Sequence, residues 1–127
     1  MGTWGHGSFQ NDHARDWCAK LPTAELPGEV LRKVLSTRQT AADEERLLAA
    51  AEVVAAASGT PAAGIPKNIA SWIVGGGLHV GSELRGVARV AVEAVRAGSA
   101  LRRLWEKAGE LEDWYAVVDD LLRRLRT

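Results

Sequence analysis

The chain has 127 residues, of which 46% are hydrophobic and 25% are charged, the proportions of one ordinary globular domain rather than of a disordered protein. Its 16 basic and 16 acidic side chains balance, so the sequence lacks the basic excess on which most nucleic-acid binding depends. A single cysteine, Cys18, excludes a framework of intramolecular disulfides.

Neither a targeting segment nor a membrane span is predicted. The amino terminus has no basic region followed by an apolar run, which is the pattern of a signal peptide. The apolar stretches are rich in alanine and are interrupted by charges well short of the roughly 20 residues that a span needs. We therefore expect a cytoplasmic protein that binds neither nucleic acid nor a membrane.

Helix signals follow one another along the chain after a Gly-rich, aromatic arm at residues 1–10. Asn11 or Asp12 is a suitable N-cap for a first helix, because a short polar side chain can accept a hydrogen bond from a first-turn amide. Thr40 and Asp43 approximate a capping box. Apolar residues at helical spacing predict further helices near residues 26–35, 41–58, 66–74, 84–97, 99–105 and 110–126.

No segment shows the sustained period-two alternation of a β-strand. The sequence therefore predicts an all-α fold, an irregular bundle of six or seven helices. We expect a single domain over residues 1–127, in which the arm, residues 1–10, packs on the helical bundle, residues 11–127. Trp4 and Trp17 are expected to be mostly buried.

A family resemblance is carried by residues 1–17, MGTWGHGSFQNDHARDW. They resemble the start of a mainly bacterial family, domain of unknown function 4259, whose members typically begin M-G-(A/T)-W-G-x-G-x-F-x-N-D-x-A-x-D-(W/Y/F). Residues 50–55, AAEVVA, and residues 99–106, SALRRLWE, are also similar to it. Family members often carry Asn and Glu near Ser99, where this chain has Gly98 and Ala100. The resemblance implies no activity, but it directs attention to the opening motif.

Two interpretations of the opening motif stay open. In the first, the arm is a structural latch: its glycines allow a tight fold, and its aromatic side chains each contribute roughly 1.5–3 kcal/mol when fully buried. In the second, the arm forms the rim of a binding pocket. The binding residues would then be Trp4, His6, Asp12, His13 and Asp16.

Metal binding and nucleophilic catalysis have little support in the sequence. His6, Asp12, His13, Asp16 and Cys18 are potential ligands close together in the chain, but no C-x-x-C or H-E-x-x-H spacing is present. His13 and Cys18 would point in different directions from one helix, and no base is placed beside Cys18. We predict no metal, no cofactor and no catalytic residue.

The preferred functional hypothesis is a small, cytosolic, non-catalytic protein-binding module. An immunity protein or an accessory or regulatory subunit would have such a sequence, and its partner would be another protein. The alternative is an enzyme, or a binder of a small molecule or metal, with a pocket beside the N-terminal motif.

Overall fold

A computed structural model describes residue 3 and residues 5–126. Within them lie seven α-helices, and a short 3-10 helix, Leu21–Thr23, follows the first. No sheet forms among these residues, where Thr3 and Asn11 make one isolated bridge. The predicted all-α fold is confirmed. The helices are α1 Asp12–Lys20, α2 Pro27–Leu35, α3 Ala41–Ala57, α4 Lys67–Val74, α5 Ser82–Ala97, α6 Ala100–Lys107 and α7 Leu111–Leu125.

Helix α3 lies at the centre of the bundle and contacts each of the other six helices. Residues 47–56 of this helix are all buried, so it is enclosed on every side rather than amphipathic. Five of the ten residues in this segment are alanine, which has the highest helix propensity and a side chain small enough for neighbouring helices to approach closely. The Ala-rich composition of α3 is therefore the composition of a central packing helix.

The surrounding helices are amphipathic and pack their apolar faces on α3 or on one another. Trp114 of α7 is 1% exposed and is the largest fully buried side chain among the described residues. Trp17, expected to be mostly buried, is partly buried and packs against the core, whereas Trp4 lies outside the described residues. Among the helices that the structure describes, none combines the length and the apolar character needed to cross a bilayer.

The start of α3 is closed by the predicted capping box. The Thr40 hydroxyl accepts from the amide of Asp43 at 3.1 Å, and the Asp43 carboxylate accepts from the amide of Thr40 at 3.1 Å. A hydrogen bond from Arg46 to Asp43 at 3.0 Å, aided by these backbone donors, holds the pKa of Asp43 below its ordinary value. Asp43 is thus ionised at neutral pH, where a carboxylate is favourable at a helix N-terminus.

Replacement of the cap should measurably weaken the fold. We expect Thr40→Ala to lower the free energy of unfolding by about 1 kcal/mol, because one first-turn amide of α3 loses its acceptor. Urea denaturation measures this loss. Thr40→Ser keeps the hydroxyl and should stay close to the parent protein. Equal losses in the two variants would show that the methyl group of Thr40, and not the cap, matters.

Candidate functional site

Three glutamates of α3 are buried, although an unpaired buried carboxylate is strongly destabilising. Two of them lie in the first turns of the helix. Glu44 accepts a hydrogen bond from the backbone amide of Leu101, at the start of α6, at 2.9 Å. Glu45 accepts from the Thr3 hydroxyl at 3.2 Å, and its other oxygen lies 2.8 Å from Nδ1 of His13. The arm, α1 and α6 thus supply the hydrogen-bond partners of these two carboxylates.

The third, Glu52, pairs with an arginine from the far end of the chain. Oε1 of Glu52 lies 2.8 Å from Nη1 of Arg124, which is itself buried on α7. Arg124 also donates through Nε to Asp120 at 2.9 Å and through Nη1 to the carbonyl of Thr60 at 3.2 Å. Burial by itself would lower the pKa of Arg124, but its bonds to Glu52 and Asp120 raise that pKa, so the guanidinium stays charged.

The arm closes over this pair through its own side chains. The Ser8 hydroxyl donates to the second carboxylate oxygen of Glu52 at 2.8 Å, and Phe9 is buried in the core. At the end of the arm, Asn11 caps α1 by accepting from the amide of Ala14 at 2.8 Å. The burial of Phe9 and the Asn11 cap accord with the latch interpretation, whereas the sequence did not predict the bond from Ser8 to Glu52.

Two arm glycines, Gly5 and Gly7, lie against the end of the Gln10 side chain. The amide of Gly7 donates to Oε1 of Gln10 at 2.9 Å, which curls the Gln10 side chain back over the arm. A Cβ atom at Gly5 would lie 2.3 Å from that same oxygen. A larger residue at position 5 would therefore displace the end of Gln10, an exposed and flexible side chain that can move at little cost.

The three segments that resemble one family meet around α3. The opening segment contacts residues 50–55 through the bond from Ser8 to Glu52. It contacts the third segment where the His6 ring packs on Trp105, with ring centroids 4.7 Å apart. Ser99 begins that segment as the N-cap of α6. Each segment thus has a structural role in holding the arm and α6 against the central helix.

The structure does not gather the predicted binding residues into one site. His6 lies 2.7 Å from Glu110 at the start of α7. His13 and Asp16 instead line a shallow groove of about 200 Å³ on α1. Asp12 is exposed, and Trp4 lies outside the described residues.

The residues considered as metal ligands are likewise dispersed. Cys18 is buried, and burial raises the pKa of its thiol to about 12 against a smaller opposing effect of Arg15. A thiol in this state is not a nucleophile at neutral pH. In the described part of the chain, one group that could hold an ion combines His6 with Glu110 and Asp113, whose ligand atoms lie within 4.8 Å of one another. The sequence did not associate these two acidic residues with His6.

A cavity of about 550 Å³ opens beside the arm. We call it the arm-side cavity. It was not apparent from the sequence, because its walls come from the arm, α1, α3, the loop after α3, and α7. One signal was available: Glu52 is the one charged residue in the apolar run 47–57, and a charge inside a buried helix requires a partner. The lining residues are Gly7, Ser8, Phe9, Gln10, Arg15, Glu52, Ala62, Gly64, Ala116, Val117, Asp120 and Arg124.

A second concave surface, also of about 550 Å³, lies between the end of α2 and α5. We call it the α2–α5 groove. It is open to solvent and mostly apolar, and Val90 on its floor is 60% exposed. None of the predicted binding residues contributes to it. The lining residues are Leu35, Arg38, Gly86, Val87, Arg89, Val90, Ala91 and Ala94.

The buried ion pair should dominate the stability of the region around the arm. We expect Glu52→Ala to lower the free energy of unfolding by about 3 kcal/mol, because Arg124 would stay buried with only part of its charge neutralised by Asp120. The exposed Asp16 offers a control: Asp16→Ala should change that free energy by less than about 0.5 kcal/mol. Chemical denaturation measures both.

A second variant separates the charge from the packing. Replacement of both partners by apolar residues of similar size, Glu52→Leu with Arg124→Met, should recover much of the lost stability. No recovery would mean that the Ser8 contact or the shape of the site, rather than the unpaired charge, causes the loss.

Comparison with known proteins identifies the family of this chain. The model of the family described as domain of unknown function (DUF4259) matches residues 2–117, which span all three of the meeting segments. Searches of curated proteins and of solved structures found no match. The family match covers most of the chain and confirms the predicted family, so the chain belongs to the DUF4259 family.

Proposed function

We propose that this protein is a non-catalytic protein-binding module whose α2–α5 groove receives an acidic, amphipathic helix of a partner. The observation that carries the proposal is the groove itself. It joins a solvent-exposed apolar floor to two arginines that have no acidic partner among the described residues. A cytoplasmic location belongs to the same proposal, and a single buried cysteine accords with a reducing compartment.

The floor of the groove has the chemistry of a helix-binding surface. Val87, Val90, Ala91 and Ala94 lie on one side of α5, with Leu35 of α2 beside them. The exposure of Val90 is unfavourable in the isolated protein, and its burial against a partner would release water from apolar surface. An amphipathic helix satisfies such a surface by laying its own apolar face in the groove.

Gly86 supports a close approach by the partner. It lies in the interior of α5, where glycine is less stable than alanine by roughly 0.5–1 kcal/mol. A Cβ atom at this position would meet nothing within 4 Å, so the packing of the described residues does not require glycine there. A glycine in a groove lets the backbone of another helix come nearer than any other residue would.

The charges of the groove select the partner. Arg38 and Arg89 are exposed and form no ion pair with any residue that the structure describes, and no acidic residue lines the groove. A symmetric contact between two copies of this surface would bring the arginines together without neutralising them. The partner must therefore supply carboxylates, which would accelerate its association and make it salt-dependent.

Two exposed valines provide a matched test of the groove. We expect Val90→Asp to weaken partner binding at least about tenfold, because it places a charge on the apolar floor. Val74→Asp is the control, since Val74 is 88% exposed and lies outside the groove. Both variants should keep the parent melting temperature. Affinity capture from the source cells, quantified by mass spectrometry, compares the three proteins.

A cross-linking experiment tests whether the captured partner binds through an acidic, amphipathic helix. In an Arg89→Lys variant, a zero-length carbodiimide should link the new amine to a carboxylate on a partner helix. A partner retained equally by Val90→Asp, or a cross-link to a segment that is neither acidic nor amphipathic, would contradict the proposal.

Substitution of Gly86 separates stability from binding. We expect Gly86→Ala to raise the free energy of unfolding by roughly 0.5–1 kcal/mol, because alanine is the better helix former. The same change should weaken partner binding by obstructing the close approach. Thermal unfolding and titration with the captured partner measure the two effects. Unchanged or tighter binding would show that the partner backbone does not approach α5 at this point.

A further inference from the structure

We infer that the arm-side cavity binds a small monocarboxylate with an apolar body, and that Arg15 holds its carboxylate. This site would give the protein a small-molecule ligand in addition to a protein partner. The cavity shares no lining residue with the α2–α5 groove, so each site can be tested without the other.

The cavity has the size and the walls of a small-molecule site. Its volume of about 550 Å³ falls in the range of about 300–1,000 Å³ typical of ligand pockets. Phe9 from the arm and Val117 from α7 contribute apolar walls. The small residues Ala62, Gly64 and Ala116 leave the space between them open. Such walls favour a ligand whose body is apolar.

The acidic groups of the cavity are already neutralised by arginines within the protein. Glu52 pairs with Arg124, and Asp120 pairs with both Arg124 and Arg123. These pairs hold α3 and α7 together and offer little attraction for a cationic ligand. Arg123 pairs with Asp120 from outside the cavity, so Glu52, Asp120, Arg124 and Arg123 together carry no net charge.

Arg15 is the cation left over at this cavity. It is exposed on α1, and no carboxylate of the described residues forms an ion pair with it. The planar guanidinium can donate two parallel hydrogen bonds to the two oxygens of a carboxylate.

A single negative charge fits this lining better than a phosphate dianion. One uncompensated guanidinium balances one carboxylate. A second negative charge would have no cation of its own among the described residues that line the cavity. The geometry therefore favours a monocarboxylate over a phosphate.

Fluorine NMR can detect such a ligand with a simple probe. We expect 4-fluorobenzoate to bind the full-length protein with a dissociation constant of about 1 mM or tighter, as fits a ligand of about 10 non-hydrogen atoms. The uncharged amide, 4-fluorobenzamide, has nearly the same shape and should bind at least about fivefold more weakly. Inorganic phosphate should not displace the benzoate at equal concentration.

Variants at three exposed residues test the role of Arg15 and of the cavity. Arg15→Gln should weaken benzoate binding about tenfold, the size expected for loss of one charge-assisted contact. Arg103→Gln, which removes an exposed arginine of α6 outside the cavity, should leave binding unchanged. Ala116→Phe should abolish binding by filling the cavity from an exposed position of α7. All three should keep the parent melting temperature, because none replaces a core residue.

The inference is wrong if the benzoate does not bind, if the amide binds equally well, or if phosphate displaces the benzoate efficiently. Equal binding by Arg15→Gln or by Ala116→Phe would also overturn it. The Val90→Asp variant of the α2–α5 groove should bind the benzoate like the parent, so failure at one site is distinguishable from failure at the other.

Discussion

The need to neutralise three carboxylates inside the bundle organises this structure. Helix α3 is enclosed by the other helices, yet Glu44, Glu45 and Glu52 are buried on it. A buried carboxylate is tolerated only with hydrogen-bond donors or a cation. These come from the arm, from α1, from the start of α6 and from the end of α7. The positions of those elements around the core are therefore tied to polar contacts as well as to apolar packing.

Two residues of the opening motif satisfy polar groups of the helices. Ser8 satisfies Glu52, and Asn11 closes the first turn of α1. Folding the arm onto α3 also encloses space, because the arm forms one wall of the arm-side cavity while Glu52 and Arg124 form another. The latch and the pocket interpretations are therefore compatible, because the contacts that hold the arm against α3 also shape the cavity. Arg15 forms no ion pair with the described residues and lines the cavity.

Local features of the fold could be predicted from the sequence, and long-range pairing could not. The capping box of Thr40 and Asp43 and the apolar stripes of the helices depend on residues a few positions apart, so they can be read directly. The bond between Glu52 and Arg124 joins residues 72 positions apart and depends on how α3 and α7 pack. For the same reason, the spacing of residues near Asp120 in the chain does not reveal that this residue lines a cavity. The predicted binding residues were chosen for chemical type within one segment of the chain, whereas both concave surfaces are assembled from several segments.

A residue that lowers the stability of the isolated protein, and that no contact within the protein requires, is a better indicator of function than a residue with a chemically reactive side chain. The buried glutamates fail this criterion, because the fold itself supplies their partners. Gly86 meets it, since glycine weakens α5 and no contact requires it. Val90 also leaves apolar surface in water, as Leu26, Val74 and Leu104 do outside the groove, so its exposure counts only together with its position beside Gly86. Both residues lie in the same groove, between arginines that the described part of the chain does not neutralise. Three features therefore occur together on one surface: a glycine that weakens a helix, an exposed apolar side chain, and two arginines without an acidic partner among the described residues. Binding of a protein partner there would account for all three, whereas no single contact within the protein would.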